Sequence, residues 1–260
     1  MSDVADAAAC LIGARLAGAT RLHGGDIAEV VRLRTADGRS AVAKAGPTAR
    51  AEAEMLRAIA AAGVPAPRVL AVSDQLLVMA DLGADEGLRH GWADLGRVAR
   101  RLHGALGDGY GWGEDHAFGP VPIPNASTAD WPTFWAERRL LPSCPHIAPD
   151  LAARVEAVAA RLRDLLPSRP APALLHGDLW SGNVMTWGGR VTGLIDPACY
   201  HGHAEVDLAM LSLFGTPSPV FWEGYGPIEP GLPERRPIYQ LWPALVHLRL
   251  FGDGYRGLGE

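Results

Sequence analysis

The chain has 260 residues, of which 48% are hydrophobic and 20% are charged. This length and composition exclude a disordered chain and a small disulfide-dependent scaffold, and they predict one large domain or two small ones. The formal charge of −5 is opposite to that of a phosphate-binding surface, so no nucleic-acid partner is expected. Three cysteines without CxxC spacing, no basic segment typical of a secretory signal and no apolar run of ~18 residues predict a cytoplasmic protein without a membrane partner.

The first eighty residues have the pattern of a small antiparallel sheet with one helix. In chain order the predicted elements are a strand over 27–33, a turn at Asp37-Gly38, a strand through Val42 and Lys44, a helix over 51–62, and a hairpin of 69–72 with 76–80. Residues 81–85 are predicted to form a linker.

After the linker the apolar residues recur at helical spacing. The predicted elements are a helix from Trp92 to Leu106, a helix from Leu151 to Leu165, a hairpin of 184–187 with 191–195, and helices from Glu205 onward. Residues 107–145, rich in Gly, Pro and Trp, are predicted to be mostly loop. The sequence therefore predicts an α+β fold of two lobes, a small antiparallel-sheet lobe over 1–82 and a larger, mainly helical lobe over 83–260.

Three polar residues near the second hairpin have the spacing of a kinase catalytic loop. Asp178 and Asn183 lie five residues apart, and Asp196 follows at the end of the hairpin. Phosphoryl transfer needs a carboxylate that accepts the proton of the acceptor hydroxyl, and oxygen ligands that hold Mg²⁺ on the nucleotide phosphates. Each residue alone is typical of a cap or a turn. The ordered set predicts an enzyme that uses ATP and Mg²⁺, with Asp178 as base and Asn183 and Asp196 as metal ligands.

The small lobe contains residues suited to nucleotide binding. Gly24-Gly25 precedes a strand and would let backbone N–H groups approach phosphates, although such a pair is often only a turn. Lys44 would reach the phosphates, and Glu52 on the following helix would hold Lys44. The alternative for these two is a solvated surface pair. Asp81 and Leu82 would offer backbone groups to adenine at a hinge.

Several segments together resemble the fructosamine kinase family. The matching segments are residues 176–183 (His-Gly-Asp-Leu-Trp-Ser-Gly-Asn), Ile195-Asp196-Pro197-Ala198, residues 202–210, Gly24-Gly25-Asp26-Ile27, residues 51–56, Asn125 with Trp131, Phe134 and 138–140, and residues 239–252. This family belongs to a wider group with aminoglycoside phosphotransferases and choline kinases. The resemblance implies a bilobal, protein-kinase-like fold.

The resemblance also implies a substrate. Members of the family phosphorylate the 3-hydroxyl of a ketosamine, a sugar attached to an amine, so that the amine is released. The acceptor would be a small ketosamine, another glycated amine or a glycated protein lysine. Trp180 would pack against the sugar, unless it only packs between lobes, and Glu205 would lie near the substrate. His176 and Asp207 would brace the catalytic loop.

Two departures from the family and two alternatives accompany this interpretation. Ala204 stands where many relatives have Arg, and no Cys lies near Ala28, so a redox switch there is not expected. Cys199 is interpreted as an ordinary apolar residue.

One alternative is a phosphotransferase for aminoglycosides or other amino-alcohols, against which Trp180 argues. The other is an inactive nucleotide-binding scaffold. A protein kinase is disfavoured because no long activation segment follows Asp196.

Overall fold

The computed structural model describes residues 3–22 and 28–252. Within them the chain divides into two compact units. The first unit takes the residues up to Gly91 together with Gly182–Pro197, and the second takes Trp92–Ser181 with the residues from Ala198 onward. This division differs from the predicted boundary at residue 82, because the segment after it bonds to the 184–194 hairpin. Glu86 N–H donates to the Thr186 carbonyl at 3.0 Å, and Thr186 N–H donates to Asp85 Oδ1 at 2.8 Å.

The first unit is built on a five-stranded antiparallel sheet with the order β1-β2-β3-β5-β4. Its strands are β1 (Leu16–Arg21), β2 (Glu29–Thr35), β3 (Ser40–Ala45), β4 (Val69–Val72) and β5 (Leu76–Ala80). Small and branched residues such as Val31, Leu33 and Ala43 are buried on the sheet and form its core. The predicted antiparallel sheet is confirmed.

Two helices accompany this sheet where the sequence predicted one. The predicted helix is α2 (Ala49–Ala61), and the additional one is α1 (Asp3–Leu11). The buried residues of α1 are only Ala5, Ala8 and Ala9, at the i, i+3, i+4 spacing of a helix face. Alanine gives this face little contrast in hydrophobicity, which is why the apolar pattern did not reveal the helix.

A β-hairpin, β9 (Val184–Trp187) and β10 (Arg190–Leu194), completes the first unit. Gly188 and Gly189 connect its strands with positive φ angles of 57° and 72°, as the tight turns of hairpins require. Leu194 pairs with Val184, so the residues just outside the two strand ends lie at one end of the hairpin. The predicted hairpin and its Gly-Gly turn are confirmed.

The second unit is mainly helical, with short strand pairs. Its helices are α3 (Trp92–His103), α4 (Trp131–Trp135), α5 (Pro149–Ala160), α6 (Leu162–Leu165), α7 (Glu205–Leu211), α8 (Pro219–Tyr225) and α9 (Leu232–Phe251), and its strands are β6 (His116–Phe118), β7 (Val121–Ile123), β8 (Ala173–Leu175) and β11 (Tyr200–Gly202). The segment predicted to be loop contains the pair β6–β7, α4 and two further helical turns, a π-helix over Ala136–Leu140 and a 3-10 helix over Leu141–His146.

An aromatic core explains why that segment is ordered. Trp131, Phe134 and Trp135 of α4 are fully buried beside Tyr200 and Tyr239. Rings of this size supply most of the buried apolar area of such a core. Tryptophans that looked like loop residues in the sequence are therefore core residues.

Helices α3 and α8 cross at two glycines. A Cβ added to Gly96 would lie 2.2 Å from the Phe221 carbonyl oxygen, and one added to Gly224 would lie 2.2 Å from the Ala93 carbonyl oxygen. Only glycine allows such an approach of two backbones. None of the helices in the described residues is both long and apolar enough to span a bilayer.

Candidate active site

The first unit contains a cluster of one lysine and two carboxylates. Strand β3 carries Lys44, whose Nζ lies 2.8 Å from Glu52 Oε2 on α2 and 2.7 Å from Asp196 Oδ1 after β10. The Glu52 side chain is buried, whereas that of Asp196 keeps 39% of its surface exposed. The Lys44 ammonium thus lies within hydrogen-bonding distance of both carboxylates, and the structure brings these three sequence-predicted site residues together.

This cluster fixes the charge of Lys44. Burial alone would lower the pKa of the Lys44 ammonium, but attraction to Glu52 and Asp196 outweighs burial, and the pKa lies above its ordinary value. Two carboxylates around one ammonium leave a net charge of −1 when all three are ionised. Lys44 is also the only lysine in the 260 residues, so no other lysine could replace it.

Two acceptor atoms of the cluster are not used within the described residues. Glu52 Oε1 is buried without a hydrogen-bond partner, and Asp196 Oδ2 makes neither a hydrogen bond nor an ion pair with any residue of 3–22 and 28–252. Asp196 also adopts a φ of 53°, the left-handed region, which Asp visits more readily than most residues. Such backbone conformations are concentrated at functional sites.

Asn183 and Asp196 flank the open end of the β9–β10 hairpin. Ile195 N–H donates to the Asn183 carbonyl at 3.0 Å, which extends the pairing of Leu194 with Val184 by one step. Asn183 is buried. Asn183 directly precedes β9, and one residue separates Asp196 from β10, so both lie at the same end of the hairpin. A carboxylate oxygen and an amide oxygen are the hard donors that Mg²⁺ prefers. The residues present therefore fit a magnesium site.

In the second unit, a glycine shapes the segment that contains Asp178. Gly177 has a φ of 81°, and a Cβ placed on it would lie 2.0 Å from the Ala198 carbonyl oxygen. Asp178 N–H donates to His176 Nδ1 at 3.3 Å, and Trp180 N–H donates to the Asp178 carbonyl at 3.1 Å. The loop around Asp178 is thus a tight turn that only glycine permits at its second position.

The carboxylate of Asp207 on α7 accepts hydrogen bonds from the backbone of this turn. Its Oδ2 accepts from His176 N–H at 2.7 Å and its Oδ1 accepts from Gly177 N–H at 3.0 Å. Asp207 is completely buried, as is His176. A buried carboxylate that accepts backbone N–H bonds stabilises one loop conformation strongly. The two hydrogen bonds tie α7 to the turn before Asp178, and the role of His176 and Asp207 in catalysis stays a prediction.

Two further residues extend this network, and sequence analysis missed both. His103 Nε2 lies 3.1 Å from Asp207 Oδ2, and His103 Nδ1 lies 2.9 Å from the Tyr225 hydroxyl. Because the carboxylate can only accept, His103 donates to Asp207 from Nε2, and its Nδ1 bonds to the Tyr225 hydroxyl. His103 ends α3 and Tyr225 ends α8, far from the loop in sequence, and no local pattern marks either residue.

Trp180 is 36% exposed and contacts the ring of Phe214 edge to face, with centroids 5.8 Å apart. Phe214 is itself 45% exposed and lies 5.2 Å from the ring of His247. Three aromatic rings thus follow one another at the surface of the second unit, beginning two residues after Asp178. Phe214 was not marked by any pattern in the sequence, and His247 was marked only as part of the segment 239–252 that resembles the family.

Glu205 is engaged inside the second unit. Arg235 Nε and Nη2 donate to Glu205 Oε2 and Oε1 at 2.7 and 2.5 Å, and the carboxylate is buried. Each of its oxygens accepts one hydrogen bond from Arg235, and a contact between Glu205 and the substrate stays a prediction. Ala204 is the N-cap residue of α7 and makes no side-chain capping hydrogen bond.

The remaining sequence-predicted residues are placed as follows. The Asp81 carboxylate is held by Ser40 Oγ at 2.6 Å and Arg32 Nη2 at 3.2 Å, which fixes the start of the segment 81–82, including Leu82. Gly24 and Gly25 lie outside the described residues. Cys199 is buried, and burial, followed by the charge of Asp207, raises the pKa of its thiol well above the ordinary value, as expected for an unreactive cysteine.

Comparison with known proteins now identifies the family. The family model described as "Fructosamine kinase" matches residues 5–259. The chain belongs to the fructosamine kinase family. A probable ketoamine kinase of Thermus thermophilus is 37% identical over 240 residues, which cover 91% of this chain and 89% of that protein. A probable ketoamine kinase of Synechocystis is 41% identical over 193 residues, covering 69% of this chain and 63% of that protein, slightly less than two thirds.

Solved structures agree with this family. A putative fructosamine-3-kinase from Thermobifida fusca has a TM-score of 0.89 at 32% identity, covering 99% of this chain and 96% of that one. Macrolide, amicoumacin and aminoglycoside kinases share the fold alone, with TM-scores of 0.62–0.68 at 17–21% identity. The predicted family and the predicted kinase-like α+β fold are confirmed.

Proposed function

We propose that this chain is a ketosamine kinase, which transfers the γ-phosphoryl group of Mg·ATP to the 3-hydroxyl of a sugar–amine adduct. The observation that carries the proposal is the cluster of Lys44 with Glu52 and Asp196. A buried glutamate that holds a lysine against a half-exposed aspartate is an arrangement for phosphates and a metal ion. Membership of the fructosamine kinase family supports the acceptor.

The residues of the first unit would bind the nucleotide. Lys44 would contact the phosphates while Glu52 keeps it in place, and Gly24 with Gly25 would offer backbone N–H groups. Asp81 and Leu82 would offer backbone groups to adenine. Asn183 and Asp196 would hold the metal, which, when bound, supplies positive charge that neutralises the phosphate oxygens.

Asp178 would act as the base in this proposal. It accepts the proton of the acceptor hydroxyl as the oxygen–phosphorus bond forms and the bond to ADP breaks. Its loop is fixed by Gly177 and by the hydrogen bonds to Asp207, so the carboxylate needs little reorganisation before transfer. His176 and Asp207 are positioning residues that do not touch the substrate.

The acceptor would rest on exposed aromatic rings. Trp180 lies two residues from Asp178, and an aromatic face is suited to the C–H surface of a sugar and to an ammonium group. The same rings would accept part of the amine carrier, whether a free amine or a lysine of another protein. A cytoplasmic location fits Cys10, Cys144 and Cys199, none of which forms a disulfide.

The alternative is phosphorylation of an aminoglycoside or another amino-alcohol, since the same base and metal ligands would serve any hydroxyl. The experiment measures ADP release with a ribulosamine, a fructosamine and kanamycin as acceptors. Phosphorus NMR of the product identifies the phosphorylated hydroxyl. We expect turnover of one or both ketosamines at the 3-hydroxyl. Turnover of kanamycin alone would contradict the proposal, and no turnover of any acceptor would favour a nucleotide-binding scaffold.

A further inference from the structure

Thr186, in the middle of β9, bonds with all of its polar groups to one short segment of the first unit. Its N–H donates to Asp85 Oδ1 at 2.8 Å, its carbonyl accepts from Glu86 N–H at 3.0 Å, and its hydroxyl donates to the Gly87 carbonyl at 2.6 Å. Thr186 is 1% exposed. Three hydrogen bonds of one buried residue thus join β9 to residues 85–87, which lie between β5 and α3.

The contact with this segment continues beyond Thr186. At the turn of the hairpin, Gly188 N–H donates to Glu86 Oε2 at 2.9 Å. The methyl group of Thr186 packs close to Gly91, because a Cβ added to that glycine would lie 2.9 Å from Thr186 Cγ2. Residues 85–91 therefore follow the outer edge of β9 over its length.

The two proposed metal ligands belong to opposite edges of this hairpin. Asp196 follows β10, and on that side Leu194 N–H donates to the Pro65 carbonyl at 2.9 Å. Asn183 precedes β9, three residues before Thr186. The hydrogen bonds of Thr186 thus hold the strand that carries the amide ligand, whereas the bond to Pro65 holds the strand that carries the carboxylate.

A magnesium ion makes the position of β9 important. Mg²⁺ demands nearly octahedral geometry with ligand distances of ~2.0–2.1 Å, so small displacements of a ligand weaken its binding. Groups behind the ligands, which never touch the metal, commonly set metal affinity for this reason. A residue that fixes β9 against its neighbour therefore acts on the distance between Asn183 and Asp196.

A second threonine of the hairpin shows what the Thr186 hydroxyl adds. Thr192 lies on β10, and within residues 3–22 and 28–252 its buried hydroxyl has no hydrogen-bond partner. A branched side chain suited to a strand is enough to explain Thr192. The hydroxyl of Thr186, in contrast, bonds to another segment of the chain.

We propose that Thr186 is a positioning residue for the metal ligands, which fastens residues 85–87 to the hairpin and so holds Asn183 at a fixed distance from Asp196. Residues 85–87 follow the segment proposed to contact adenine. The same hydrogen bonds make that segment and the metal ligands parts of one binding surface. This inference rests on the proposed function, and Thr186 itself touches neither nucleotide nor metal in it.

The test compares Thr186→Val with the unmodified full chain, with AMP-PNP as the nucleotide. Calorimetry measures its affinity with saturating Mg²⁺ and with EDTA. Valine keeps the shape of threonine and removes the hydroxyl donor, so the arrangement that fits the metal is populated less. We expect the affinity for Mg·AMP-PNP to fall about 3–10-fold, the effect of one lost hydrogen bond, and the affinity for metal-free AMP-PNP to change less than about twofold.

A purely structural role would lower both affinities alike. An equal loss with and without Mg²⁺, or no loss at all, would therefore overturn the proposal. Thr186→Ser keeps the hydroxyl and should restore the affinity for Mg·AMP-PNP. Thr192→Val makes the same chemical change where no hydrogen bond is lost, and it should leave both affinities unchanged. Failure of serine to restore the affinity, or an equal loss in Thr192→Val, would also overturn the assignment.

Amide hydrogen exchange provides a readout that needs no ligand. Thr186→Val should speed the exchange of Glu86 N–H and of Ile195 N–H, which donates to the Asn183 carbonyl beside the metal ligands. Faster exchange at Glu86 with unchanged exchange at Ile195 would show that Thr186 does not position the open end of the hairpin. If the unmodified chain binds no Mg·AMP-PNP, the proposed function fails, whereas the exchange rates still test the role of Thr186.

Discussion

Each unit contains one cluster built around aspartate, and the two clusters differ in how much of their charge is left for a ligand. In the first unit, Lys44 faces two carboxylates, and Asp196 keeps one oxygen uncommitted and 39% of its side chain exposed. In the second unit, Asp207 is completely buried, and both of its oxygens bind groups of the protein. The first arrangement can respond to phosphates and a metal ion, whereas the second holds a loop in one conformation.

Substitutions of the two kinds of residue should therefore have different effects on stability and on activity. Removing a group that only holds structure lowers stability, and activity falls with it. Removing a group that meets a ligand lowers ligand affinity or turnover and leaves the fold nearly intact. The following predictions test this difference, beginning with the largest expected effect.

Asp207→Asn should destabilise the chain by about 3–5 kcal/mol, because a buried charge with several hydrogen bonds is lost and an amide N–H would face donors. Urea unfolding measures this loss. Asp164→Asn, at an exposed position, is the matched control and should change the free energy of unfolding very little. A stability equal to that of the control would show that Asp207 does not hold the loop.

Lys44→Met should lower kcat/KM for ATP by about 10²–10³-fold, the usual effect of removing one charged group that stabilises a transition state. Glu52→Gln should have a smaller effect, because Lys44 keeps its bond to Asp196. A larger loss in Glu52→Gln than in Lys44→Met would contradict the role of Glu52 as the residue that holds Lys44.

Because Lys44 is the only lysine, NMR can observe nucleotide binding at the cluster without any measurement of turnover. Reductive methylation with ¹³C-formaldehyde labels the Lys44 side chain and the N-terminal amine, and no other amine. Adding Mg·ATP should shift the Lys44 signal, and its titration midpoint without nucleotide should lie above that of an ordinary lysine. An unchanged signal would place Lys44 away from the phosphates.

Trp180→Ala should raise KM for a ketosamine about tenfold, or ~1.4 kcal/mol, while KM for ATP stays unchanged. Trp187 offers a matched control, since it is 56% exposed in the β9–β10 hairpin of the first unit. Trp187→Ala should leave both constants as they are. Equal effects of the two substitutions would contradict the assignment of Trp180 to the acceptor site.

His203 predicts a pH dependence of stability in the second unit. Its pKa of about 3 in the folded chain, lowered by burial and then by the charge of Arg235, lies below the ~6.5 of an unfolded chain, so between these two pH values only the unfolded state binds the proton. This contribution to stability is complete above pH ~6.5 and is lost as the pH falls. Between about pH 7.5 and about pH 5.5 the unmodified chain should lose about 1.4 kcal/mol more than His203→Gln. Equal losses of stability in the two proteins would contradict the lowered pKa of His203.

The sequence was informative wherever function depends on local spacing. Asp178 with Asn183, the Gly188-Gly189 turn and the order of Lys44 before Glu52 are all visible within short segments. The match of these segments to a known family then predicted the fold, and that prediction is confirmed. Roles assigned to single residues stay predictions until the variants are made.

Interactions between distant segments could not be predicted. His103 meets Asp207 across 104 residues, and Arg235 meets Glu205 across 30, without any periodicity that would announce either pair. The same holds for the contact between the exposed ring of Phe214 and the half-buried ring of His247. Helix α1 was missed for another reason, since its buried face consists of alanines that contrast little with their neighbours.

The central claim is that Asp178 acts on the acceptor and the Lys44 cluster acts on the nucleotide. The most direct measurement is of Asp178→Ala, with Mg·ATP affinity determined by calorimetry and phosphoryl transfer to a ketosamine determined in the same preparation. The account predicts that transfer falls by about 10²–10⁴-fold or more while the affinity for Mg·ATP stays within about twofold. Loss of nucleotide affinity together with transfer, or transfer that persists, would contradict it.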